Sequence, residues 1–335
     1  MHYYKTEDER RETEDERPKT RRRQDVSRLR SSVSSLQTQF SVRVSNSISM
    51  PIVADLVSLL ELEALEVNIY RGQNRDLGTG RVFGGQVFAQ ALVAARRTVE
   101  EAREAHSVHG YFLRAGDLKA PIVFFVDRPR DGGSFTSRRV TAIQHGEAIF
   151  HLSASFHVAE SGLDHQGGMP EVPKPETLRN ELEVLREKVE HLPASLRAVL
   201  TQDRPIDFRI VPLADHDWRH GAPARAAWFR VVAELPTDII VHQAILAYAS
   251  DYGFLPTSLT PHRVEYRDPR LQMASLDHSL WMHRAFRADE WLLYVMDSPS
   301  AAGARGFVRG QIFTQAGVLV ASVAQEGLIR LREPR

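Results

Sequence analysis

Two apolar stretches read as helices: Gly85 to Arg96, which lacks breakers after its double glycine, and His242 to Tyr252, hydrophobic nearly all round from Ala244 to Ala249 and so expected to be buried. Each is followed by four runs rich in Val, Ile, Phe and Tyr, the composition of strands. After the first helix come His106 to Leu113, Ile122 to Val126, Phe135 to Gln144 and Ala148 to Val158. After the second come Met273 to Met282, Trp291 to Met296, Gly306 to Thr314 and Val318 to Arg330. Setting His109 against His278 gives a shift of 169, and setting Gly146 against Gly317 gives 171. A nearly constant shift through four elements marks an internal repeat. The pattern predicts an α+β protein with one long helix and one antiparallel sheet in each half.

The flanks differ. Residues 1–49 repeat Thr6-Glu7-Asp8-Glu9-Arg10 as Thr13-Glu14-Asp15-Glu16-Arg17, then run through Arg21-Arg22-Arg23 into serines. That composition cannot bury enough apolar surface to offset ordering entropy, so a dispensable disordered extension is expected there, with Met50 a candidate start. Its Glu and Asp content argues against a transit peptide. The halves are then expected at 50–160 and 226–332. They are separated by a linker at 161–225, rich in Pro at 170, 173 and 175, with a helix within Glu176 to Leu200.

Composition narrows the chemistry more than the partner. The 335 residues hold 43 Lys plus Arg against 43 Asp plus Glu, so no net field favours nucleic acid. With no cysteine there is no thiolate nucleophile and no thiolate metal site, and hydrolysis must use oxygen groups, His or water. No apolar run is long enough to insert into a membrane. No Gly-x-Ser-x-Gly elbow occurs, and Gly78-Thr79-Gly80 does not continue into a dinucleotide fingerprint.

Three polar residues stand out against apolar surroundings. Asp251 ends the second helical run, where a buried carboxylate is costly unless paired or used, and a negative charge at a helix C-terminus opposes the macrodipole. Its ordinary reading is a helix-end Asp satisfied by the turn at Gly253. Ser275 lies in a strand-like run, and Gln325 shares a strand face with Leu319, Ala321 and Val323. Buried hydroxyls and amides are more often satisfied by local backbone than catalytic, and periodicity alone does not choose. Gly84-Gly85-Gln86, opening the first helix, would let backbone amides approach an anion, or simply make a tight helix start.

From Met50 to Arg330 the chain resembles the type II acyl-CoA thioesterases. The resemblance rests on Arg71-Gly72-Gln73, Val82-Phe83-Gly84-Gly85-Gln86-Val87, the run from His106 to Arg114, Ser250-Asp251-Tyr252, Ser275 to Trp281, and Ala304 to Val308 leading to Ala324-Gln325-Glu326-Gly327. It implies a double hotdog fold and hydrolysis of fatty acyl-CoA by a water that Asp251, Ser275 and Gln325 direct. Many bacterial relatives carry Thr where this chain has Ser275, which keeps the hydroxyl and loses a methyl. Gly84, Gly85, Gln86 and His106 are expected at the substrate or at the oxyanion. By the repeat shifts, the first-half counterparts of the three catalytic positions are approximately Ala94, His106 and Ala154, so one site per chain is expected. No cofactor or metal is implied. The partners implied are acyl-CoA and further copies of the chain, as a homodimer or homotetramer.

Two rival functions remain open from sequence. A hotdog enoyl-CoA hydratase would use Asp-x-x-x-x-His, matched only by Asp215 and His220 in the charged stretch before the second half. A non-catalytic acyl-CoA-binding protein would keep the fold and lack the chemistry. The ending Glu333-Pro334-Arg335 is not a Ser-Lys-Leu peroxisomal address, so the cytoplasm is the expected location.

Overall fold

The structure, a computed structural model, describes residues 50–78, 80–190, 197, 201–213, 225–262, 264–266 and 268–332. The expected extension at 1–49 and the pair Asp215 and His220 lie outside the described residues. The first half begins with α1 (Met50–Leu60), β1 (Glu63–Glu66) and β2 (Ile69–Gly72). It continues through the long helix α2 (Gly84–Arg96) to β3 (Arg103–Phe112), β4 (Ile122–Asp131), β5 (Phe135–Gln144) and β6 (Glu147–Val158). A short helix α3 (Glu181–Lys188), β7 (Ile206–Ile210) and β8 (Arg225–Val231) lead to α4 (Ile239–Ser250). A 3-10 segment (Leu255–His262) then precedes β9 (Leu271–Ser275), β10 (Asp277–Met282), β11 (Leu292–Ala302), β12 (Arg305–Thr314) and β13 (Leu319–Leu331).

All the strands join one antiparallel sheet in the order β1-β2-β4-β5-β6-β3-β10-β13-β12-β11-β8-β7, with β9 paired to β13. The seam between the halves is β3 against β10, where His109 faces Ser279 and Val108 faces Leu280. Strand alternation decides the buried side: on β5, Thr136, Arg138, Val140, Ala142 and Gln144 turn inward. That inner face wraps α2 and α4, whose residues Gly85–Ala95 and Val241–Ser250 are buried throughout, the α2 glutamines Gln86 and Gln90 included. The result is the double hotdog arrangement, two helices held inside one strongly curved sheet.

The structure departs from the sequence expectations in two places. The run Met273 to Met282 is not one strand, because Leu276 is an extra residue between β9 and β10. The linker is not merely a connector: β7 lies inside it and extends the sheet by pairing with β8. Within the expected Glu176 to Leu200 helix, α3 is described from Glu181 to Lys188, and Asn180 caps it by accepting from the Leu182 and Glu183 amides; residues 191–196 and 198–200 lie outside the described residues. Among the described residues no helix is long and apolar enough to cross a membrane.

Candidate active site

Asp251 is the C-cap of α4, and its carboxylate turns away from its own helix towards the start of α2. The Gly85 backbone N–H donates to it. One helix's terminal acid therefore serves as the anion at another helix's N-terminus, where the macrodipole favours negative charge. This arrangement explains the anomaly in the sequence. The carboxylate is disfavoured at the end of α4 but favoured at the beginning of α2, and Phe83, the N-cap of α2, offers no side-chain cap of its own. Burial pushes the carboxyl up to about 6, with the bonds from Gln325 and the Gly85 N–H acting in the opposite direction.

Gln325 comes from the inner face of β13 and is fully buried. Its Nε2 donates to Asp251 Oδ1 at 2.8 Å and to Ser275 Oγ at 3.1 Å. One amide thus bridges the acid and the hydroxyl and fixes their separation, while its Oε1 is buried without a hydrogen-bond partner. Ser275, the last residue of β9, pairs with Gly327. Asp251 and Ser275 both line a cavity of about 870 Å³. Much of its wall is apolar, including Val82, Phe83, Val87, Phe112, Ile149 and Met273, while Arg75, Arg81, Arg114, Arg204 and Arg225 add cationic groups.

The three residues opening α2 divide by role. Gly84 lines the cavity, and a Cβ added there would stand 2.8 Å from Asp251 Oδ2. A Cβ on Gly85 would collide with the Tyr248 carbonyl of α4, so glycine lets the two helices approach. The side chain of Gln86 is buried and engaged elsewhere. It donates to Gln73 O and Asn74 Oδ1 at 3.1 Å and accepts from the Arg75 N–H, while its backbone N–H goes to Phe83 O.

The fold does not bring His106 to this cavity. His106 is the extra residue of a bulge in β3 between Ala105 and Ser107, and it faces the outer side of the sheet. There its Nε2 lies 2.8 Å from Ser155 Oγ, against Phe135 and His157. The same bulges correct the repeat alignment. Leu276 is the extra residue of the second half, so Ser275 corresponds to Ala105 rather than His106. Helix ends place Arg97, the C-cap of α2, opposite Asp251, in place of Ala94. Ala154 keeps its place against Gln325. The first half therefore has Arg, Ala and Ala where the second has Asp, Ser and Gln.

Sequence reasoning used His278 only as a repeat marker, yet it lies within the site. Its Nδ1 is 3.9 Å from Asp251 Oδ1, and its Nε2 is 2.8 Å from Ser250 Oγ. Strict alternation from Ser275 would send His278 to the opposite face. The extra residue at Leu276 returns it to the inner one, and no local sequence signal announces that bulge. Tyr294 was also missed; from β11 its hydroxyl donates to Ser250 O at 2.9 Å.

Known proteins bear on the site at this point. The acyl-CoA thioesterase profile matches residues 201–328, and that of the acyl-CoA thioesterase N-terminal domain matches residues 74–157. The chain is 41% identical over 283 residues to acyl-CoA thioesterase 2 of Haemophilus influenzae, across 84% of this chain and 99% of that one. It is 43% identical over 287 residues to acyl-coenzyme A thioesterase 8 of Mus musculus, across 83% and 89% of the two chains. Among solved structures, an acyl-CoA thioesterase II from Mycobacterium marinum superposes with a TM-score of 0.70 at 45% identity, covering 84% of this chain and 99% of that one. This chain belongs to the acyl-CoA thioesterase family and is a thioester hydrolase.

Proposed function

We propose that the protein hydrolyses fatty acyl-CoA to a free fatty acid and CoA by direct attack of a water held by Asp251, Ser275 and Gln325. The observation that carries this reading is the Gln325 amide, which joins Asp251 Oδ1 and Ser275 Oγ beside a large, mostly apolar cavity. Asp251 accepts one proton from the water as its oxygen bonds to the carbonyl carbon. The buried Gln325 Oε1 and the Ser275 hydroxyl restrict the water's orientation, a geometric contribution. Negative charge gathers on the thioester oxygen, and the backbone of Gly84 at the positive end of α2 is the donor best placed for it. As the carbon–sulfur bond breaks, the proton on Asp251 passes to the departing sulfur. The apolar wall suits the acyl chain, and Arg75, Arg81 and Arg114 suit the phosphates of CoA.

Asp251→Asn tests this directly. It removes the proton acceptor at nearly constant size, so kcat for acyl-CoA hydrolysis should fall by about 10²- to 10⁴-fold with KM little changed. Gln325→Ala should lower kcat as well, and the double variant should lose less than the product of the two, because both act on one water. Retention of most of the wild-type kcat by Asp251→Asn across several acyl-CoAs would overturn the reading.

A further inference from the structure

His278 is fully buried on β10, and its ring is held by Phe88 at 4.8 Å and Phe254 at 5.8 Å, both edge-on. Its protonation pattern follows from its neighbour. The Ser250 hydroxyl donates its single proton to the Ala247 carbonyl at 3.0 Å, so towards His278 it can only accept. The hydrogen between them therefore belongs to His278 Nε2. Burial drives this imidazole down to about 3, so the ring is neutral at ordinary pH. Its Nδ1 then carries a lone pair, has no hydrogen-bond partner, and faces Asp251 Oδ1 at 3.9 Å.

A lone pair aimed at a carboxylate disfavours the charged form and leaves the neutral acid untouched. We propose that His278 is a positioning residue that acts through Asp251: its Nδ1 lone pair, fixed in place by Ser250, opposes the carboxylate's charge and makes Asp251 a stronger proton acceptor. The repulsion is relieved when Asp251 takes the proton of water and returns when that proton leaves for sulfur. This rests on the reading of Asp251 as the base.

The other groups facing the pair do not supply the effect. Gln325 from β13 and the Gly85 N–H from α2 both donate to Asp251 and so favour its charge. Ser275 from β9 is neutral. Tyr294 from β11 also faces this carboxylate, and burial holds its phenol well above the ordinary value, so it too stays neutral. Asp277 and Glu326, next to His278 and Gln325 in sequence, point to the opposite face by strand alternation.

The experiment is the pH profile of kcat for wild type, His278→Asn and His278→Gln on one saturating acyl-CoA, with Asp251→Asn as reference. The wild-type acid limb should lie near 6. In His278→Asn an amide NH2 can turn towards Asp251 at the former Nδ1 position. The limb should then move about one unit lower and the plateau kcat fall about 3- to 10-fold, with KM within about twofold. His278→Gln, which keeps a group near Ser250 and removes the lone pair, should shift in the same direction by less. A purely structural role would lower Tm and leave the limb in place. An unmoved limb in folded variants, with Asp251→Asn inactive, overturns this proposal alone; an active Asp251→Asn overturns the base reading and this proposal with it. The wild type gives an independent check: 15N NMR of histidine-labelled protein should show a buried neutral ring with hydrogen on Nε2, and hydrogen on Nδ1 would overturn the proposal.

Discussion

At the scale of the residue, the site places function and stability in opposition. The partners of Asp251 are an amide and a backbone N–H rather than a cation, so its charge is buried at a net cost. A carboxyl whose folded value is raised from 3.8 to about 6 contributes stability that is complete below the unfolded value and is lost as pH rises through the folded one. The deficit above pH 6 is on the order of 3 kcal/mol. Asp251→Asn should therefore melt several degrees above the wild type at pH 8, and the gap should close as pH falls towards 4, as calorimetry can follow. A variant that is inactive yet more stable is the signature of a group retained for chemistry. A Tm at pH 8 that is equal to or below the wild type's would mean that the lost hydrogen bonds match or outweigh the relieved desolvation.

At the scale of the element, the site is a product of how α2 and α4 meet. Their approach is so close at Gly85 that its missing side chain is a condition of the contact, and the same residue supplies the N–H that holds Asp251. Gly85→Ala should cost about 1–3 kcal/mol through overpacking. It should also move the acid limb of kcat to higher pH, because the added Cβ displaces the backbone N–H, which alanine retains, from the carboxylate, and a weaker bond raises its value further. A destabilised Gly85→Ala with an unmoved limb would separate the packing role from the electrostatic one. The sequence made these helices legible because long, largely apolar runs without breakers have few alternatives to burial. It made Asp251 conspicuous because the residue is wrongly placed for its own helix. It could not show which helix Asp251 serves, since that contact crosses from residue 251 to residue 85. Nor could it place His106 and His278, whose faces are set by one extra residue each, His106 itself between Ala105 and Ser107 in β3, and Leu276 between β9 and β10. A single bulge inverts every later inference from alternation.

At the scale of the whole molecule, burial in and against the curved sheet shifts several titratable groups, some favouring the folded state at higher pH and some at lower. Burial is the first cause lowering His106, His109, His242, His278 and His283, and His278 and His242 are the most deeply buried of these. His242 bridges two segments as a neutral ring, with Nε2 on Pro236 O at 2.9 Å and Nδ1 accepting from the Ala288 N–H at 3.0 Å. A histidine whose folded value lies below its unfolded one binds fewer protons when folded. The stability it confers is present above about 6.5 and is lost as pH falls from there. Asp251 and Asp277, both raised, oppose this trend over part of the same range. The carboxylates that are lowered, such as Asp289 and Asp131, weaken the fold only nearer 4. Between pH 7 and pH 5 the histidines outnumber their opponents, so Tm should fall across that interval well before ordinary acid denaturation. His278→Gln should flatten the fall, having no proton to gain, and its residual slope reports the share of His242 and the half-buried rings. A Tm that holds level or rises from pH 7 to pH 5 would show instead that Asp251 and Asp277 dominate, and that the enclosed histidines are reached by water more freely than their burial implies.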